Sequence, residues 1–540
     1  MSISEQPSQQ PAPGDGIARY AGVTGVATLI SRALGLVRDQ VLAALFGAGN
    51  DMDAFVVAFR IPNLVRDLFA EGAMSAAFVP TFTRELTQRG KRDAWRLGNN
   101  VLNALLVATG VFVVAGIAFA RPLVDLYAGD FASVPGKLEL TVRLTRVMLP
   151  FLTMVAVAAA AMGMLNSLHH YFVPALSPAM FNVATIVGVF LLVPLMPRLG
   201  LPPIMAVAFA ALAGGIGQIA IQWPALRREG FRYERLFDPR DPGLRRVLIL
   251  MGPGTIGLAA TQVNIFVNTL LATSQGTGAA SWLAYAFRLM YLPIGLFGVS
   301  IGTAVLPEVS RRATAGDTAG IRNTLSRGLA MMLMLNVPAT VGLMVLATPI
   351  VQLLFERGHF LPADTAATAA ALRLYAVGLI GYSAVRIASP TFYAIGESRT
   401  PALVSVSAIA VNLVASLALV RAIGFQGLAL GTSIAAIVNA ALLMWLLRRR
   451  LGGTDGRRLL VTLLKVTVSS IVMAATAVAI QHAMDRVAPG TRLTPQAIRL
   501  GATIGGSLVA LAAMANILGV EAFREAVEMV QTRVRKSLSK

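Results

Sequence analysis

The chain has 540 residues, a formal net charge of +20, no cysteine, and a composition that is 56% hydrophobic and only 13% charged. Mean hydropathy is +0.69, and the charged share is about half that of a soluble globular chain, which excludes a large soluble domain. The missing cysteines exclude disulfides, thiolate metal sites and a cysteine nucleophile, and the basic surplus lies in short loops between apolar runs, so it speaks for membrane topology and against nucleic acid.

The first sixteen residues are polar and rich in Pro, Gln and Ser. They lack a basic stretch followed by a cleavable apolar core, so no signal peptide is expected and the first span stays as an anchor. A spanning helix needs about 20 mostly apolar residues. Fourteen stretches qualify: 23–46, 54–82, 98–120, 140–164, 172–196, 203–225, 246–273, 281–306, 323–347, 365–394, 400–420, 426–447, 460–482 and 496–518. Basic residues concentrate in the loops after spans 2, 6, 8 and 12 and in the C-terminal tail, whereas residues 47–53 and 274–280 carry none. Basic loops mark the cytoplasmic side, so both termini are expected there.

Span 1 carries Arg32 and Arg38. A charge at the bilayer centre costs about 2.5–3.5 kcal/mol or more, so these side chains need a wet cavity, an anion, or a snorkelling path to the headgroups. Six helical positions turn them about 120° apart, and Gly35 between them is a place where the helix could loosen. The 47–53 loop that follows contains Asp51-Met52-Asp53. Asp53 reads as a gate residue at the outer end, paired with a cavity arginine when that end is closed. Asp51 reads as a solvated loop residue.

Span 2 holds Arg60, Asn63, Arg66, Asp67 and Glu71. Asn63, Asp67 and Glu71 follow i, i+4, i+8 and share a face, with Arg60 beside them. An Arg60–Asp67 ion pair is one reading and a cavity lining the other. In either case this helix cannot face lipid. Span 7 adds Asn264 and Asn268, span 10 adds Arg386 and span 11 adds Asn412. Hydrogen-bonded packing explains these amides, and no carboxylate within spans 7, 11 and 12 supports a strong sodium or proton site. In span 8, Arg288 has Phe287 and Tyr291 nearby and no acidic neighbour on its own helix. Its partner is either a carboxylate from another span or a ligand anion. Arginine suits phosphate because its planar fork donates two parallel hydrogen bonds and keeps its charge.

Span 2 reads Ala58-Phe59-Arg60 and closes on Val79-Pro80; span 8 reads Ala286-Phe287-Arg288 and closes on Leu306-Pro307. This match suggests a parallel repeat, spans 1–6 on spans 7–12, with spans 13 and 14 outside it. The four histidines show no ligand spacing, and no metal is expected. No G-x-x-x-x-G-K-[ST] loop is present, so the chain has no ATP engine of its own.

The segments Ser31-Arg32-Ala33-Leu34-Gly35-Leu36-Val37-Arg38-Asp39, Phe46-Gly47-Ala48-Gly49, Asp53-Ala54-Phe55, Pro62-Asn63-Leu64, Phe69-Ala70-Glu71-Gly72-Ala73 and Phe78-Val79-Pro80 resemble the MurJ (MviN) lipid II flippase family of the MOP exporter superfamily. So do Arg288-Leu289, Leu292-Pro293, Gly298, Gly302-Thr303 and Leu306-Pro307. The resemblance covers nearly all of the chain beyond the N-terminal tail.

It implies an all-α membrane protein with two six-helix lobes in a V around a cationic cavity, and two C-terminal helices forming a lipid-tail groove. The implied organisation is a tail at 1–17, an N-lobe at 18–235, a C-lobe at 236–455, the groove helices at 456–520 and a basic tail at 521–540. The resemblance also implies that Arg32, Arg38, Arg66 and Arg288 bind the diphosphate, that Asp53 gates the outer side, and that Arg60, Asn63 and Glu71 are secondary cavity residues. The sequence departs from many members at Phe287 and Tyr291, where they carry acidic residues. The implied function is outward flipping of lipid II in the bacterial inner membrane, without covalent chemistry or cofactor, driven by membrane potential or an ion gradient. The implied protein works as a monomer among membrane lipids and associates with cell-wall synthesis proteins. Export of another polyprenyl-linked oligosaccharide or a small molecule is the alternative.

Overall fold

The computed structural model describes residues 13–66, 73–490, 492–525, 527–528 and 531, with side chains set aside at 13–24, 65, 73, 75–76 and 252–261. Among the described residues the chain is helical without strands. Among the described residues helix covers most of each expected span, and residues 67–72 of the second span lie outside the described residues. Among the described residues ten helices are long and apolar enough to cross a membrane by themselves, or eleven if the helix pair bent by 41° at Gly378 counts as one span.

Contact clustering divides the chain into two units, residues 1–42 with 54–262 and residues 43–53 with 263–540. The first contains most of α1 (Pro13–Phe46) and α2 (Asn50–Arg66), then α3 (Ala73–Arg89), α4 (Lys91–Ala118), α5 (Ala120–Ala128), α6 (Lys137–Met148), α7 (Phe151–Ser167), α8 (Phe172–Leu192), α9 (Met205–Arg228) and the start of α10 (Pro242–Thr273). Helix α1 runs unbroken through Gly35. The core of this unit gathers Phe78, Phe82, Leu97, Met164 and Phe231. Phe82, Trp95 and Phe231 form a chain of rings 5.6 and 5.3 Å apart.

The second unit contains the rest of α10, α11 (Ala279–Pro293), a π turn at Ile294–Gly298, α12 (Val299–Thr314), α13 (Thr318–Val345), α14 (Ala347–Phe355), α15 (Pro362–Val377), α16 (Leu379–Ala394), α17 (Arg399–Ile423), α18 (Gln426–Arg450), α19 (Gly456–Val487) and α20 (Leu493–Ile517). Helices α12, α13, α16 and α18 share a core around Leu325, Leu329, Ile387, Phe392 and Leu443. Helix α19 packs on α13 and pairs with α20. Rows of exposed Leu, Val and Ile on α17, α19 and α20 suit contact with lipid.

The two halves repeat a local device. After the long helix α4 the chain breaks at Phe119 (φ −97°, ψ 19°) and makes the nine-residue α5. After α13 it breaks at Leu346 (φ −96°, ψ 14°) and makes the nine-residue α14. This extends the faint repeat seen in the sequence.

The boundary between the two contact units at 262/263 lies inside α10. An asparagine clamp on α4 holds the segment that leads into α10. Asn99 donates to the Arg232 carbonyl and accepts from the Glu234 N–H. Asn100 does the same at Asp238. Asn103 donates to the Glu234 and Leu236 carbonyls. Because backbone polar groups need partners, these amides hold the connecting segment against the first unit. The described part of α1 begins at Pro13, and residues 1–12 of the expected tail lie outside the described residues.

Candidate functional site

Arg38 is nearly buried, at 9% exposure. Its Nε and Nη2 donate to Asp39 Oδ1 at 3.1 and 2.7 Å, and Nη1 donates to Asn182 Oδ1 at 3.1 Å. The guanidinium also lies 5.4 Å from the Phe181 ring centroid. Asn182 Nδ2 in turn donates to the Ser31 carbonyl at 3.0 Å, which ties α8 to α1. Arg38 is therefore held by Asp39 and Asn182 in this structure, and the sequence reading missed its adjacent partner Asp39. Arg32, a turn and a half away, is half-exposed and makes no hydrogen bond or ion pair among the described residues.

Arg60, Asn63 and Arg66 follow along α2 and are all part-exposed. The Asn63 Oδ1 atom is shielded from solvent without a hydrogen-bond partner among the described residues. Arg60 acts on α5: burial pushes the Tyr127 phenol up to about 12, and the Arg60 charge opposes that rise. Asp67 and Glu71, including the suggested Arg60–Asp67 pair, lie outside the described residues.

In the second unit Asp53 is fully buried. Its Oδ2 accepts from the Gly278 N–H at 2.7 Å, and its Oδ1 accepts from the Ser281 N–H at 3.1 Å and the Ser281 hydroxyl at 2.7 Å. The first N–H groups of a helix have no partner inside it, and its N-terminus carries partial positive charge. Asp53 thus caps α11 from a distant part of the chain. The sequence reading gave it an arginine; its described partners are these backbone and hydroxyl donors. Asn50 beside it accepts from the Thr277 hydroxyl at 2.8 Å. Asp51 lies in the first turn of α2 and not in a loop, and burial raises its carboxyl above the ordinary range.

Arg288 sits seven residues beyond Ser281 on α11, about 10 Å along the axis, and is exposed. Tyr291, one turn on, accepts from Arg386 Nη2 at 3.2 Å and lies 6.0 Å from the Phe287 ring. Arg386 on α16 thereby joins the face that carries Arg288. The sequence marked Arg386 only as a polar group within a span, since nothing local predicts that its side chain reaches Tyr291 on α11. Asn412 donates to Asn264 and Asn268 at 2.5 and 3.0 Å and accepts from Ser416 at 3.3 Å. That is hydrogen-bonded packing, as the composition of these helices suggested. No group of three or more His, Asp or Glu side chains suited to a metal occurs among the described residues.

The family model described as lipid II flippase MurJ matches residues 42–494. "Probable lipid II flippase MurJ" of Rhizobium meliloti (strain 1021) is 34% identical over 97% of both chains. "Lipid II flippase MurJ" of Burkholderia cenocepacia is 35% identical over 78% of this chain and 82% of its own. A solved lipid II flippase MurJ in an inward closed conformation superposes with a TM-score of 0.75 at 25% identity, covering 92% of this chain and 99% of that one. An inward-facing MATE transporter of the MOP superfamily shares the fold, with a TM-score of 0.66 at 17% identity over 80% of this chain and 98% of its own.

Proposed function

The chain belongs to the lipid II flippase MurJ family and is a multi-pass lipid II flippase of the inner membrane, not an enzyme; we propose that fourteen spans form two six-helix lobes which rock around the diphosphate, while α19 and α20 guide the lipid tail. The cargo is an undecaprenyl-diphosphate-linked precursor whose sugars and peptide ride through the wet interior. Both termini are cytoplasmic, which the alternation of basic loops supports.

Arg32 is the observation that carries the diphosphate reading. A guanidinium in an apolar helix with no hydrogen bond or ion pair among the described residues needs an anion to offset its cost in the membrane. Arg66 and Arg288 act with it, Arg60 and Asn63 line the path, and Arg38 positions α1 through its bonds to Asp39 and Asn182. Asp53 closes the outer side by capping α11. The energy comes from the membrane potential, about 2.3 kcal/mol per charge per 100 mV, or from an ion gradient. The flippase works as a monomer in association with cell-wall synthesis proteins.

Complementation of a bacterium depleted of its own flippase tests this reading, with arrival of lipid II outside detected by a periplasmic enzyme that cleaves it. Wild type should rescue, while well-expressed Arg32→Ala, Arg66→Ala and Arg288→Ala should fail singly. Rescue by all three would overturn the diphosphate role.

A further inference from the structure

We propose that the loop joining α14 to α15, residues 356–361, is a second jaw of the outer gate, with Gly358 and His359 as positioning residues that grip the α1–α2 turn opposite Asp53. The proposal rests on the gate reading of Asp53. The grip is made by backbone. The His359 N–H donates to the Ala44 carbonyl at 2.9 Å. Gly358 has φ +58°, and a Cβ there would overlap the Ala44 carbonyl oxygen. Gly47 has φ +63°, and a Cβ there would overlap the His359 carbonyl oxygen. Two left-handed glycines thus let two backbones meet where any side chain would hold them apart.

The second jaw is tied to the first. Tyr285 of α11 packs against Phe355 and Phe360 with ring centroids 4.9 and 5.6 Å away, and all three rings are buried. Trp282 Nε1 donates to Asp364 Oδ1 at 2.8 Å, while Asp364 Oδ2 accepts from the Leu361 N–H at 2.9 Å. The helix that Asp53 caps and the loop that holds Ala44 therefore form one packed block. Opening the outer side must break the His359–Ala44 bond together with the bonds of Asp53.

The absence of native cysteine allows a clean test. Ala44→Cys/His359→Cys and Asn50→Cys/Thr277→Cys are each joined by a short bis-methanethiosulfonate reagent in membranes, and flipping is followed before and after reduction. Efficient joining of 44 to 359, with flipping lost and then restored by reductant, is expected. No joining, or continued flipping once joined, overturns the second jaw. If joining 50 to 277 blocks flipping and joining 44 to 359 does not, this proposal fails while the Asp53 gate stands; if neither blocks, both fail. Gly358→Ala gives an independent measure against Gly396→Ala, which has φ +83° and nothing within 4 Å of an added Cβ. Gly358→Ala should lower 50–277 joining about tenfold while Gly396→Ala leaves it unchanged. Equal behaviour of the two would attribute the effect to backbone strain alone and overturn the proposal.

Discussion

Asp53 and Ser281 are bonded to each other at 2.7 Å and stand 228 positions apart, the same offset that relates Ala58-Phe59-Arg60 to Ala286-Phe287-Arg288. They occupy matching places in the two halves of the repeat. The contact is thus a meeting of repeat-related positions, one an acceptor and the other a helix N-terminus. Residues 43–53 belong by contact to the second unit for this reason.

Asp53→Ala should remove three hydrogen bonds at once and leave the Gly278 and Ser281 N–H groups short of their acceptor, at about 1–3 kcal/mol for each buried group. Flipping should fall at least about tenfold, with accessibility of the 47–53 segment to a water-soluble thiol reagent rising at Asn50→Cys. Unchanged accessibility would mean Asp53 does not hold the outer end closed.

Arg38→Ala and Arg32→Ala should differ in kind. Losing Arg38 strips a buried carboxylate of its guanidinium, a change worth up to about 3–5 kcal/mol, so folded yield and Tm in detergent should drop. Arg32 has no protein hydrogen bond among the described residues, so Arg32→Ala should keep Tm and lose flipping. Equal thermal losses would place Arg32 in the scaffold.

Arg386→Gln removes a cation whose described partner is a neutral phenol. Affinity for lipid II should weaken about tenfold, close to the 1.5 kcal/mol lower value for a charged hydrogen bond. Tyr291→Phe should cost less, because it frees Arg386 without discharging it. Titration of purified protein with lipid II at two salt concentrations checks this, and equal affinity in Arg386→Gln would exclude that residue from the path.

Glu229 accepts from His170 at 2.8 Å and Lys91 at 3.0 Å. The His170 bond first, then the Lys91 bond, hold its carboxyl below the ordinary value of 4.5. A depressed carboxyl contributes stability above the unfolded pKa and loses it as pH falls through the folded one. Wild type should therefore lose more Tm than Glu229→Gln as pH falls from roughly 5 to roughly 3. Parallel Tm curves would show the cluster carries no stability.

The fourteen apolar stretches, the arginines within them and the Arg60/Arg288 match were legible in the residue order, because hydropathy and helical period act over a few turns. The helices around Arg32, Arg60 and Arg66 form where that periodicity requires. The partners of Arg38 and Asp53 were not legible. Asn182 is 144 positions from Arg38, and Gly278 is 225 from Asp53. Tyr291 is likewise 95 positions from Arg386. A helical pattern fixes which face a residue occupies and how polar that face is. It does not fix which other helix arrives there, and a hydrogen bond is decided within a few tenths of an ångström. The sequence by itself therefore determined a basic, helical, membrane-spanning chain with charges that must be answered. Tertiary packing decided which charges are answered by protein, as Arg38 is, and that Asp53 is answered by the start of α11.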